Sequence, residues 1–143
     1  MIKKDMVAIH VSREIIAPVD KVWEIIADVD REPQFWRGTK SIKNIKKTEN
    51  IIERNVVISF RNSICNQIVT INPKKSVKTS IIEGPLKGTK NIIINDIGNN
   101  KTRIDVKWDI QIAGFFGMFT RIVKKHISEG TDEALERISK TVE

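Results

Sequence analysis

The chain has 143 residues, 40% hydrophobic and 30% charged, with seven Gly, four Pro and a net charge of +7. That length suits one domain, residues 1–143, able to bury roughly two-thirds of its unfolded surface, and the composition excludes a disordered or collagen-like chain. The single cysteine, Cys65, excludes an internal disulfide and any multi-cysteine zinc or iron–sulfur site, and points to a reducing, cytoplasmic compartment.

Residues 7–16 alternate, with Val7, Ile9 and Val11 on one side and His10, Ser12 and Glu14 on the other, the period of a half-buried strand. Ala17 and Pro18 break it. Asp20 is a candidate N-cap for a short helix that carries Val22, Trp23, Ile25 and Ile26 on one face and ends near Asp28. Residues 30–36 read as a second short helix, with Pro33 tolerated in its first turn.

After Gly38, β-branched residues dominate and turn signals recur at 48–50, 72–74, 83–85 and 98–100. Six strands fit: 40–48, 51–61, 64–72, 76–83, 88–97 and 102–112. The last is the clearest, because Ile104, Val106, Trp108, Ile110 and Ile112 alternate with Asp105, Lys107, Asp109 and Gln111. From about Phe115 the apolar period becomes helical, through Phe116, Phe119, Val123, Ile127, Ala134, Ile138 and Val142, giving a helix of roughly 40 Å. Strands joined by short turns make an antiparallel meander, and its apolar face needs a cover, which this amphipathic helix supplies. The class is α+β: seven strands, two short helices after the first, and a long C-terminal helix.

The N-terminal stretch is broken by His10, Ser12, Arg13 and Glu14 and does not read as a signal peptide. The longest uncharged apolar run, 112–119, falls far short of the roughly 20 residues that span a bilayer, so a soluble protein is expected.

The strand-to-helix segment Val11-Ser12-Arg13-Glu14-Ile15-Ile16-Ala17-Pro18 with Val22-Trp23, then Ala27-Asp28 to Pro33 and Trp36, together with Ile82-Glu83-Gly84-Pro85-Leu86 and Thr102-Arg103-Ile104-Asp105-Val106, resembles the START-like, Bet v 1-like superfamily. The likeness is to its small polyketide cyclase/dehydrase and coenzyme Q-binding-like members and covers essentially the whole chain. It implies a helix-grip fold, a curved sheet wrapped around the C-terminal helix, and a cavity between them for lipids, quinones, polyketides or other apolar molecules. Leu86, Asn91 and Ile92 stand where the quinone-binding branch often has aromatics, and the plant members' glycine-rich loop is absent.

On this reading Trp36, Trp108, Ile110, Phe116, Phe119 and His126 line the cavity, since rigid aromatics suit an apolar ligand. Asn66 and Asn91 are ligand-binding candidates because a polar side chain turned inward from an apolar strand needs a partner. His126, one turn from both Ile122 and Gly130, has open space beside it and could shuttle a proton near neutral pH. Gly114 and Gly117 bracket aromatics that either pack a tight connection or gate the cavity mouth.

No catalytic constellation stands out. His10, Ser12 and Glu14 share a strand face, but alternate residues stand about 7 Å apart, which reads as a solvated face. Asp28, Asp30 and Glu32 read as helix-capping acids. Cys65 reads as buried and inert. Two histidines without metal-ligand spacing give no metal site, and no cofactor is implied.

The positive charge is concentrated in residues 37–61, with seven basic and two acidic residues, and in 74–107, with eight and three. These stretches suit transient docking on an anionic membrane surface. Nucleic acid is disfavoured, since there is no Tyr and no interleaving of aromatic and basic residues; exposed lysines also deter edge-to-edge aggregation. Three functions are expected: an apolar-ligand carrier; a cyclase or dehydratase using the same cavity with His126 as proton shuttle; and, as the resemblance implies from ribosome-associated members of the superfamily, a basic RNA- or ribosome-associated module binding through Lys74, Lys75 and Lys78. Oligomeric state is not encoded in any of these patterns.

Overall fold

In the computed structural model, residues 6–112 and 118–143 are described, with side chains described from 120 onward in the second stretch. The strands are β1 (Met6–Ile15), β2 (Thr39–Lys47), β3 (Ile51–Ile58), β4 (Ile64–Asn72), β5 (Ser76–Glu83), β6 (Leu86–Gly98) and β7 (Lys101–Ile112). The helices are α1 (Val19–Ala27), α2 (Glu32–Phe35), preceded by a 3-10 turn at Val29–Arg31, and α3 (Met118–Val142). The strands form one antiparallel sheet in the order β1-β7-β6-β5-β4-β3-β2, which with α3 is the helix-grip arrangement.

Five neighbouring pairs in this sheet are consecutive in sequence and joined by short turns. The sixth pairs β1 with β7, from Met6 opposite Gln111 to Ile15 opposite Thr102. Strands β1 and β2 are therefore opposite edges, and the chain crosses from one to the other through α1 and α2. Register shifts within β2 and between Asn66 and Gln67 mark bulges, which bend and twist a sheet.

α1 begins at Val19 and not after an Asp20 cap. The Pro18 carbonyl accepts from the Lys21 and Val22 amides (3.1 and 3.3 Å), and among the described residues no side chain caps the helix. Asp20 sits in the first turn, where the positive end of the helix favours a carboxylate, and pairs with Lys74 at 3.2 Å.

Inward residues of the sheet fall into two apolar clusters. One joins Ile15, Val22, Ile26, Val69, Val77, Ile92, Ile94, Ile104 and Val106 to Ala134, Leu135 and Ile138 of α3. The other joins Val7, Ile9, Val56, Cys65, Ile81, Ile110 and Ile112 to Val123. Each fully buried aliphatic side chain contributes about 1.5–3 kcal/mol. Arg137 of α3 donates to the Phe35 carbonyl at 2.8 Å, and Thr102 of β7 to the Ala17 carbonyl at 2.8 Å, so both short helices are pinned by polar contacts as well.

Gly84, in the turn between β5 and β6, has φ +133°, and a Cβ there would lie 2.5 Å from Cys65 Sγ. That turn admits only glycine, the physical reason for the Glu-Gly-Pro sequence at 83–85.

On the outer face, β1 and β7 carry a polar network. Asp105 Oδ1 accepts from Ser12 Oγ (2.5 Å) and lies 2.8 Å from His10 Nε2, while Arg103 pairs with Asp105 at 3.2 Å. Ser12 and His10 thus do meet, at 3.2 Å, drawn together by a residue of the neighbouring strand. Both Ser12 and Asp105 contact the same imidazole nitrogen, so no relay through the ring exists.

Burial would raise the Asp105 carboxyl, but the bonds from Ser12, His10 and Arg103 hold it down at about 2. A carboxylate depressed on folding stabilises above its unfolded pKa, 3.8, and that stabilisation is lost as pH falls toward about 2. Asp105→Asn is expected to cost about 1–2 kcal/mol at pH 7, with the difference from wild type shrinking between pH 4 and 2; urea unfolding at several pH values checks it.

Candidate functional site

α3 packs against β1, β7 and the two short helices. Between its N-terminal half and the centre of the sheet a cavity of about 640 Å³ opens, within the ordinary range for small-molecule sites. Its interior is built from Trp36, Cys65, Gln67, Thr79, Ile81 and Lys90, closed by Val123 and Thr131 of α3. Its rim is exposed: Arg37, Ser59 and Arg61 on the sheet side, and Ile122, His126 and Glu129 on the helix side.

Trp36 and Trp108 meet edge to face, with centroids 6.4 Å apart and planes at 67°. Trp108 is oriented by its indole N–H, which donates to Thr131 Oγ1 at 3.0 Å, and Thr131 in turn donates to the Ile127 carbonyl at 2.7 Å. The two rings present a rigid apolar surface at small entropic cost.

A buried ionic cluster stands against these rings. Arg54 is fully buried on β3. Its guanidinium donates to Glu32 Oε1 (2.7 Å), Gln67 Oε1 (3.1 Å) and the Val29 carbonyl (3.2 Å). One side chain therefore ties α2 and the turn before it to β3 and β4. Lys90 Nζ lies 4.0 Å from Glu32 Oε2, 3.8 Å from the Trp36 ring centroid and 5.2 Å from that of Trp108, within cation–π range of both.

Burial alone would raise the Glu32 carboxyl, but Lys90 and Arg54, with hydrogen bonds from Arg54 and Thr39, keep it below the usual carboxylate value. Burial pushes the Lys90 ammonium down, opposed by Glu32 and assisted by Arg54. Burial also raises the Cys65 thiol, which keeps it protonated and a poor nucleophile.

Among the residues singled out from sequence, Trp36, Trp108 and His126 line the cavity. His126 sits at the rim between Ile122 and Gly130, and a Cβ on Gly130 would meet nothing within 4 Å, so the open space beside the imidazole is present. Ile110 does not line the cavity; it is fully buried in the apolar cluster with Cys65, Ile81 and Val123.

Asn66 and Asn91 are placed outside the cavity, although Asn91 Oδ1 is itself buried and has no hydrogen-bond partner among the described residues. They alternate with the inward residues Cys65, Gln67, Lys90 and Ile92, so their side chains leave from the opposite face. Asn66 donates to Asn55 Oδ1 at 3.1 Å, and Asn91 lies between Lys78 and Lys107 in register. Phe116 and the side chain of Phe119 lie outside the described residues, as do Gly114 and Gly117.

The acids expected to cap helices do not: Asp28 and Asp30 pair with Arg31 and Lys47, and Glu32 belongs to the buried cluster. Arg54, Lys90 and Thr79 were missed in the sequence, and Glu32 was read there only as a capping acid.

Residues 6–143 match the family model described as polyketide cyclase/dehydrase and lipid transport. No curated protein matches the chain in sequence. Among solved structures, a protein from Thermus thermophilus aligns with TM-score 0.81 at 14% identity, over 95% of this chain and 97% of that one. A START superfamily protein from Mycobacterium smegmatis aligns with TM-score 0.77 at 16% identity, over 95% and 99%. The Zhui aromatase/cyclase from a Streptomyces species aligns with TM-score 0.68 at 15% identity, over 94% and 87%. At these identities the likeness is one of fold. Among the described residues no helix is long and apolar enough to cross a membrane.

Proposed function

Because the chain belongs to the polyketide cyclase/dehydrase and lipid transport family, within the START-like, Bet v 1-like superfamily, we propose that it binds and carries an apolar small molecule of lipid, quinone or polyketide type. The observation that supports this is the cavity of about 640 Å³ walled by Trp36, Trp108, Ile81, Leu86, Val123 and Ile127. Leaving such a surface wet is costly at about 25 cal/mol per Å² of apolar area, and an apolar ligand removes that cost.

A cyclase-type enzyme is the second reading, favoured by His126 at the cavity rim. Glu32 is tied to Arg54 at 2.7 Å in the buried cluster, so on this reading the imidazole is the group that moves the proton.

Native mass spectrometry of protein purified from its own host, followed by organic extraction, tests the reading. A defined apolar adduct, lost in Trp108→Ala and retained in His126→Ala, is the expected result. A protein that is always empty and copurifies with RNA would overturn it. An extracted compound whose structure changes when His126 is replaced would move the assignment to the enzyme.

A further inference from the structure

The deep wall of the cavity carries two polar groups that make no hydrogen bond among the described residues. Thr79 is 2% exposed, and among the described residues its hydroxyl finds no hydrogen-bond partner. Lys90 is 5% exposed; among the described residues its ion-pair partner is Glu32 alone, at 4.0 Å, beyond hydrogen-bond reach. The two residues are directly opposite each other on β5 and β6 and both line the cavity. Facing cross-strand side chains have Cβ atoms roughly 5 Å apart, so one ligand group can touch both.

Charge narrows the class of that group. The buried cluster holds two cations, Arg54 and Lys90, against one anion, Glu32. Arg54 already directs three hydrogen bonds to Glu32, Gln67 and Val29, is fully buried and does not line the cavity. The uncompensated positive charge is therefore at Lys90, on the cavity side. An unpaired charge in an apolar site is costly, and a hydrogen-bonded counter-ion relieves it. One net positive charge matches a monoanion rather than a phosphate dianion.

We propose that the ligand of this cavity is an apolar molecule ending in a carboxylate, received by Lys90 Nζ and Thr79 Oγ1, with the adjoining carbons against Trp36 and Trp108. This rests on the carrier reading and gives it a head group. The aromatic faces hold the ammonium in place before the ligand arrives, and Glu32 and Arg54 fix the helix pair that carries Trp36.

Displacement of the neutral dye N-phenyl-1-naphthylamine by decanoate and by 1-decanol, at pH 7, tests the proposal. Transfer from water alone favours the alcohol, because the carboxylate must shed its hydration. Decanoate displacing the dye at a concentration at least tenfold lower than decanol is the expected result. In Lys90→Met that preference for the acid over the alcohol, read as the ratio of the two displacing concentrations, disappears; in the near-isosteric Thr79→Val it falls several-fold. Equal displacement by acid and alcohol in the wild type, or an undiminished preference for the acid in both variants, overturns the carboxylate and leaves the carrier reading standing. A wild-type protein that binds neither the dye nor either decyl compound overturns both.

Discussion

Replacing Glu32 by Gln is expected to lower the unfolding free energy by about 3–5 kcal/mol, the cost of breaking a buried ion pair from one side. Glu32 is the sole acid in ion-pair contact with Arg54 and Lys90 among the described residues, so its neutralisation leaves two buried cations facing each other. Their mutual repulsion adds to the desolvation that Glu32 now offsets. Arg54→Met removes one of those cations together with its bonds to Gln67 and Val29.

The double variant Glu32→Gln/Arg54→Met should therefore be less damaged than the sum of the single changes, with a coupling of about 2 kcal/mol or more. Denaturant unfolding of the four proteins closes the cycle. Additive losses would show that the 2.7 Å contact between Arg54 and Glu32 carries no coupling energy of its own.

The second large effect is expected at Gly88→Ala. Gly88 has φ +135°, and a Cβ built there lies 2.1 Å from the Asp109 carbonyl oxygen and 2.8 Å from Ile110 Cα. Both obstacles are backbone of the paired strand β7, so no side-chain rotation relieves them; the β6–β7 ladder must open locally. The expected loss is about 3 kcal/mol or more, combining a disfavoured backbone conformation with displaced strand pairing.

Gly130→Ala provides the contrast. It lies within α3, where nothing stands within 4 Å of the new methyl group, and helix propensity alone should raise stability by about 0.5–1 kcal/mol. Thermal unfolding of the two variants side by side separates steric obstruction from a general intolerance of alanine. A Gly88→Ala protein as stable as the wild type would contradict the close approach of these two strands.

The strands were legible because period-two alternation is a direct consequence of the pleat, and each expected segment lies within a few residues of the observed one. The same arithmetic contained the buried cluster. Arg54 is in phase with Ile52 and Val56, Gln67 with Cys65 and Val69, Thr79 with Val77 and Ile81, and Lys90 with Ile92 and Ile94. Polar residues in phase with apolar ones are the signal of an inward polar site. It is overlooked when charge is taken as a mark of solvent, since Lys and Arg are almost never fully buried unless paired.

Parity also places Asn66 and Asn91 outside, because each is one residue out of step with its apolar neighbours. Ile110 was harder: it shares a face with Trp108, and alternation gives the face but not the depth at which a curved sheet becomes a cavity. Glu32 was hidden for another reason. Its partners come from β3 and β6, and no local pattern in a four-residue helix announces a partner 22 positions away.

The pairing of β1 with β7 sets an order of events during synthesis. Strands β2 to β7 can form successive hairpins as they leave the ribosome, each closing a short loop. β1 has no such neighbour: its partners are about 95 residues downstream, as His10 is from Asp105, and must be made before the ladder can close. The first strand made is thus among the last to pair, and until then its alternating face of Val7, Ile9 and Val11 stays open to other chains. Loop closure over that distance slows folding more than it weakens the final state, so the protein's vulnerability to aggregation lies in the interval between emergence of the first strand and completion of the last.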